Sequence, residues 1–316
     1  MKRKRMLFVF NPNSGKAQIP EHLFSLVDLF TKGGYLVTLH PTQCQRDATE
    51  VICQHCTDFD LVVAAGGDGT LNESICGLLE RKNQDANIPP LGYLPAGTVN
   101  DFATSLEIPK ELEPAAKTVL EGMPFCCDIG KFGDSYFTYV AAFGAFTSVS
   151  YETPQQSKNL LGRPAYLLEG LRQLPTIHPY HMQVECDGVI TEGDFIFGMV
   201  SNSKSVGGFS YPHFQEISME DGKFELLLIR QPESLAQLQS AINALLRRED
   251  PQQLIVSAKA SHFRFLSQDE APWTLDGEFG GIPTEVEITN LRQAVRVIVP
   301  RSTEQPSQTK PLTTSI

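Results

Sequence analysis

Leu61-Val62-Val63-Ala64-Ala65-Gly66-Gly67-Asp68-Gly69-Thr70-Leu71-Asn72-Glu73 is the stretch from which the fold is read. Its first five residues form an unbroken apolar run, the pattern of a strand covered on both faces of a parallel sheet. Three glycines in the next four positions let the backbone come close to a bulky anion. A helical pattern follows at once, so the free N–H groups of its first turn point back at whatever the glycines approach. No Lys-Ser/Thr pair follows the glycines and their spacing is not GxGxxG, which excludes the Walker A loop and the dinucleotide fingerprint. Asp68 repels a phosphate. A carboxylate there serves either as a magnesium ligand, directly or through water, or as a proton acceptor. Taken alone, the segment is also compatible with a tight strand-to-helix turn carrying an acidic cap.

The same alternation extends on both sides. Residues 6–10, 35–40 and 91–94 read as strands, and 21–31, 46–55, 70–80 and 113–121 as helices, with a short helix near 100–105. Such a β-α-β-α order predicts a parallel sheet with helices on its faces and function in the loops after the strands' carboxyl ends. Two further loops lie at such ends. Asn11-Pro12-Asn13-Ser14-Gly15-Lys16 follows the first strand, and Pro95-Ala96-Gly97-Thr98-Val99-Asn100-Asp101-Phe102-Ala103 follows the fourth. Thr98 and Asn100 offer donors to phosphate, while Asp101 either caps the helix or assists a metal. All three loops should converge on one edge of the sheet.

The pattern changes near Phe125. Strand-like runs dominate from there: 136–143, 182–185, 195–201, 224–229, 260–265, 284–289 and 294–298, interrupted by helical patterns at 165–174 and 234–247. The expected fold class is therefore α/β plus β: a Rossmann-like parallel-sheet domain over 1–127 and a β-rich domain over 128–289. Residues 301–316, rich in Ser, Thr, Pro and Gln, read as a disordered tail. Asp221-Gly222-Lys223 and Leu275-Asp276-Gly277-Glu278 are, by themselves, turn signals.

Composition narrows the function. In 316 residues, 41% hydrophobic and 20% charged is ordinary globular usage, and a net charge of −11 argues against non-specific nucleic-acid binding. Lys2, Arg3, Lys4 and Arg5 form one local basic run, either a solvated leader or a contact with an anionic membrane surface. No run of about 18 apolar residues is present, and residues 6–10 are too short for a signal-peptide core, so a cytoplasmic protein is expected. The seven cysteines show no disulfide framework. The Cys53/Cys56 pair falls on what looks like the buried side of a helix. His178, His181 and His213 lack metal spacing, and no GxSxG nucleophile elbow occurs.

Together, NPNSGK, GGDGTLNE and PAGTVNDFA resemble the catalytic-domain family of the diacylglycerol kinases, in the form of its soluble bacterial members. The similarity runs from about Met6 to Val299. GGDGT is shared with NAD kinases, but the other two elements favour the lipid branch. The resemblance implies an ATP-dependent lipid kinase, with diacylglycerol leading among acceptors. An NAD kinase-like phosphotransferase and a non-catalytic nucleotide sensor are the alternatives. It implies a nucleotide-binding domain completed by about residues 290–305, a β-sandwich-like lipid domain, and an active site between them. By the family pattern Asn11, Pro12, Asn13, Ser14, Gly15, Thr42, Gly67, Asp68, Gly69, Thr70, Leu71, Asn72, Glu73 and Thr98 bind nucleotide, and Gly66, Asn100 and Asp101 belong to the same loops. Glu278 matches the catalytic proton acceptor, Asp128 a carboxylate at the domain junction, and Asp221 the ligand of a structural Mg2+. Ser218 and Lys223 would assist there, Lys223 through its main-chain carbonyl only. Asp68, Asp101 and Asp128 together look like a catalytic network linking metal, phosphate and base, through which Asp128 would polarise Glu278. The resemblance further suggests peripheral contact at the inner membrane surface and a homodimer. Phe143-Gly144-Ala145-Phe146 and Tyr151 line either an acyl groove or the core. The stretch 204–212 resembles a loop near the substrate side.

Overall fold

A computed structural model describes residues 3–14, 18–84, 87–144, 178–206, 209–210, 217–234, 237 and 254–301. The first lobe alternates β1 (Lys4–Phe10), α1 (Gln18–Lys32), β2 (Tyr35–Pro41), α2 (Asp47–His55), β3 (Leu61–Gly66), α3 (Asp68–Lys82), β4 (Leu91–Pro95), α4 (Asp101–Ser105) and α5 (Leu112–Glu121). Strands β1 to β4 are parallel, in the order β4-β3-β1-β2. The apolar run that predicts a two-face-covered strand is β3, with all six residues buried.

Beyond α5 the described residues are mostly strand: β5 (Met123–Phe132), β6 (Ser135–Phe137), β7 (Val140–Gly144), β8 (Tyr180–Cys186), β9 (Val189–Ser201), β10 (Ser205–Val206), β11 (Phe209–Ser210), β12 (Phe224–Arg230), β13 (Ile255–Ala260), β14 (His262–Ser267), β15 (Trp273–Leu275), β16 (Glu278–Gly281) and β17 (Glu285–Val299). Long β17 joins the two halves. It is antiparallel to β14 and β5 and ends parallel to β4, so one sheet runs from β2 to β16.

Three expected boundaries shift, each for a local reason. The run 136–143 divides into β6 and β7, because the N–H groups of Thr138 and Tyr139 turn to the Asp276 carboxylate. The run 260–265 straddles β13 and β14, whose break at Ser261 is held by Asp187. Runs 284–289 and 294–298 are one strand whose pairing with β5 shifts between Leu291 and Val295. The helical pattern at 165–174, most of that at 234–247, Phe146, Tyr151 and the tail beyond Arg301 lie outside the described residues.

Three hydrophobic clusters form among the described residues, two of them large. One packs α1 to α5 against the parallel strands and β17; the other fills the antiparallel part. At the centre of the second, Trp273 meets Phe132, Phe143 and Phe265 at centroid distances of 5.1, 4.9 and 5.0 Å. This cluster anchors β15, and with it the turn that carries Glu278. Trp273→Ala is expected to destabilise the chain by about 3–5 kcal/mol, measured by urea unfolding followed by circular dichroism.

Candidate active site

The strand ends meet as the alternation predicts. Each loop leaves its strand through a main-chain bond to a neighbour: Asn11 N to Ala65 O at 2.9 Å, Thr42 N to Phe10 O at 2.9 Å, and Ala96 N to Gly66 O at 2.7 Å. The glycine loop and the 95–103 loop then touch backbone to backbone. A Cβ on Gly97 would lie 2.6 Å from Gly67 Cα, so no side chain fits between them. In the first loop Asn11 Oδ1 accepts from Asn13 N at 2.9 Å, while Gly15 and Lys16 lie outside the described residues. Thr98, after β4, is exposed, and Thr42, after β2, is half-buried.

Several expected nucleotide contacts instead build the loops. Leu71 is wholly buried in the first core. Thr70 packs on Gly66, where a Cβ would lie 2.4 Å from its Oγ1. Asn100, in the left-handed region at φ 57°, accepts from Gly97 N and donates to Gly97 O, stapling its own loop. Asn72 donates to Tyr136 O and to Asp276 Oδ2. Glu73 Oε1 accepts from Arg46 N at 2.8 Å.

Carboxylates crowd this edge. Asp68 Oδ2 accepts from Asn100 N at 3.1 Å, while its Oδ1 is buried without a donor. Burial, then the neighbouring charges of Asp101 and Asp276, push the Asp68 carboxyl up to about 7. The orphaned Asp68 oxygen is one protein ligand that a divalent cation arriving with a nucleotide would find here, its other ligands coming from phosphate and water. Glu278, the first residue of β16, is exposed as a residue, yet its carboxylate turns back over α3. A Cβ on Gly69 would stand 3.1 Å from Glu278 Oε1. Partial burial, and the charges of Glu73 and Asp276, raise the Glu278 pKa above the ordinary glutamate range. Beside it opens a cleft of about 240 Å³ lined by Arg46, Gly69, Asn72, Glu73, Asp276 and Glu278 among others.

Gly69 sits inside α3, where alanine is favourable by about 0.5–1 kcal/mol. Gly69→Ala should therefore leave the melting temperature level or higher. The Glu278 carboxylate must give way by a few tenths of an ångström, and turnover is expected to fall about tenfold. Paired thermal melts and activity assays check this split.

Asp128 does not join this constellation through any of its hydrogen bonds. It is fully buried at the register break between β5 and β17. Its Oδ1 accepts from Gln293 N at 2.7 Å, and its Oδ2 from Gly222 N at 2.6 Å and Asn290 Nδ2 at 3.3 Å. It clamps a strand junction to the 218–223 turn. The charges that Glu278 feels are those of Glu73 and Asp276, and the turn reading of Leu275–Glu278 left the second unused. A carboxylate in a hairpin turn between apolar strands, with no basic residue beside it in sequence, was the available signal.

The expected structural magnesium at Ser218, Asp221 and Lys223 does not fit as arranged. Asp221 Oδ1 accepts from Lys223 N at 3.0 Å, and its Oδ2 pairs with Lys259 Nζ at 2.8 Å. The same ammonium reaches Glu225 Oε1 at 2.9 Å, so Lys259 already supplies the positive charge. Among the described residues no group of three or more His, Cys, Asp or Glu side chains is placed to hold a metal ion. No helix among them is long and apolar enough to cross a membrane.

A phosphate-type loop at the end of a parallel sheet, closed over by a carboxylate from a second lobe, has the architecture of a phosphotransferase. Comparison with known proteins makes the class specific. The family model for the diacylglycerol kinase catalytic domain matches residues 5–132. A diacylglycerol kinase of Bacillus subtilis (strain 168) is 35% identical over 300 residues, covering 94% of this chain and 97% of the relative. One from Staphylococcus aureus (strain MRSA252) is 33% identical over 300 residues, 94% of this chain and 93% of the relative. The fold matches the crystal structure of a diacylglycerol kinase from Bacillus anthracis str. Sterne with a TM-score of 0.73 at 21% identity, over 95% of this chain and 98% of that one. The chain belongs to the diacylglycerol kinase family. It is a lipid kinase, a phosphotransferase acting on an alcohol acceptor.

Proposed function

We propose that the chain transfers the γ-phosphate of Mg-ATP to the free hydroxyl of diacylglycerol, giving phosphatidic acid and ADP. The observation that carries this reading is Glu278 Oε1 lying against Gly69 in the first turn of α3, where a carboxylate meets a phosphate-binding helix end. Gly66, Gly67 and Gly69 with the start of α3 hold the triphosphate, and the 11–14 turn, Thr42 and Thr98 bound the rest of the nucleotide. Asp68, with Asp101 beside it, holds the nucleotide's magnesium, which would shield phosphate charge from this acidic edge. Glu278 takes the hydroxyl proton as the acceptor oxygen bonds to the γ-phosphorus; the bridging bond to the β-phosphate breaks and ADP leaves. The raised Glu278 pKa makes it a better proton acceptor than an ordinary glutamate, provided the pH lies above that value. The two lobes act as a nucleotide domain and a lipid domain that approaches a membrane surface peripherally.

The test incubates purified protein with γ-labelled ATP, magnesium and a mixed lipid extract, with NAD in a parallel reaction, and identifies the labelled product by mass spectrometry. Labelled phosphatidic acid is expected. A different labelled lipid would redirect the acceptor. Labelled NADP, or nucleotide binding with no transfer to any lipid, would overturn the reading.

A further inference from the structure

Asp276 and Gly277 form the two-residue turn between β15 and β16, with φ of 52° and 86°. Left-handed values at both positions are those of the tight hairpin turn that Asp-Gly favours. The aspartate does far more than shape the turn. Its carboxylate points inward and is 9% exposed as a residue. Oδ1 accepts from Tyr139 N at 3.0 Å and Val140 N at 3.1 Å. Oδ2 accepts from Thr138 N at 2.7 Å, Thr138 Oγ1 at 2.8 Å and Asn72 Nδ2 at 2.9 Å. Its main-chain carbonyl accepts from Tyr139 Oη at 3.1 Å. Five donors on one buried carboxylate fix its place from several directions, and removing the acceptor would leave several of them unpaired.

The origin of those donors is the point. Four belong to the 138–140 segment of the second lobe. The fifth, Asn72, stands on α3, one turn beyond the glycine loop. Glu278 follows Asp276 by two residues across the turn. We propose that Asp276 is a positioning residue: through Asn72 it fixes the distance between the phosphate-binding helix and the hairpin that presents Glu278. On this view Asn72 acts as a strut between the lobes, its amide spent on Tyr136 O and Asp276. The inference rests on the proposed kinase chemistry for its catalytic consequence, and on geometry alone for the placement of Glu278.

Asp276→Asn is the informative variant, because asparagine also tolerates the left-handed turn. Its amide nitrogen would face the Asn72 amide and the Thr138 N–H, donor against donor. Expected are a folded protein, fluorescent-ADP affinity within about threefold of wild type, and a kcat lower by about 100-fold. Thr138→Val removes one donor with little change of shape and should lower kcat about threefold. A kcat for Asp276→Asn within about threefold of wild type, or a loss confined to KM for the nucleotide, would overturn the proposal. Should Asp276→Asn fail to fold, Thr138→Val with unchanged kcat overturns it. Should wild-type protein phosphorylate no lipid, the kinase reading falls, and a crystal structure of Thr138→Val or Asp276→Asn then decides. Glu278 displaced from Gly69 supports the positioning role, and Glu278 unmoved removes it.

Discussion

Glu278→Gln is expected to lower phosphate transfer by about 10³-fold, the range of a lost general base, while nucleotide affinity and melting temperature stay near wild type. Glutamine keeps the size and a hydrogen-bonding oxygen but cannot hold the acceptor's proton. The site lies at the start of β16, on the outer strand of the sheet, so few packing contacts depend on the charge. The pH profile carries a second signature. Burial and the charges of Glu73 and Asp276 raise the Glu278 pKa. Transfer should therefore fail on the acid side at a pH above that of an unperturbed glutamate, and at saturating magnesium, which favours ionised Asp68, Glu278→Gln should flatten that limb. Quenched-flow transfer with labelled ATP across pH 5 to about 9 reads both effects.

Asp68→Asn is expected to abolish transfer and stabilise the nucleotide-free protein. Asp68 titrates at about 7 in the folded chain against a reference value of 3.8. Between those values the unfolded chain has released a proton that the folded chain retains. Stability linked to this group is present below the lower value, falls as pH rises between the two, and is gone above the higher one. Asparagine removes the charge and hence the penalty. With chelator present and no nucleotide, the variant should melt at least about 3 °C above wild type at pH 8, with the gap closing toward pH 4. An equal or lower melting temperature at pH 8 would mean that the Asp68 carboxylate is not destabilised in the apo fold. The sign of this effect separates a site arranged for a cation-bearing ligand from an ordinary acidic cap.

Much of this arrangement was legible in the chain. The apolar run 61–65, the glycines after it and the return of strand and helix periods gave the parallel lobe. Because each loop follows a parallel strand, one edge for all three was a topological consequence. What stayed hidden depended on contacts far apart in sequence. Nothing local distinguishes a glycine-loop asparagine that meets a phosphate from one that braces a hairpin 204 residues away, as Asn72 does. Asp276 stands two residues from Glu278 in sequence, but only the fold shows that its carboxylate is buried on the 138–140 segment, and that Asp128 spends its own on Gly222, Asn290 and Gln293. Ser261, where one strand-like run becomes two strands, gives way because the distant Asp187 offers acceptors to the N–H groups of Ser261 and His262.

The most direct measurement is a crystal structure of the protein with magnesium and a non-hydrolysable ATP analogue. The terminal phosphate is expected within hydrogen-bond reach of the N–H groups of Gly67 and Gly69, its metal against Asp68, and the Glu278 carboxylate facing the γ-phosphorus on the side away from ADP. Nucleotide bound elsewhere on the sheet edge, or a Glu278 turned to solvent with the triphosphate in place, would contradict the account.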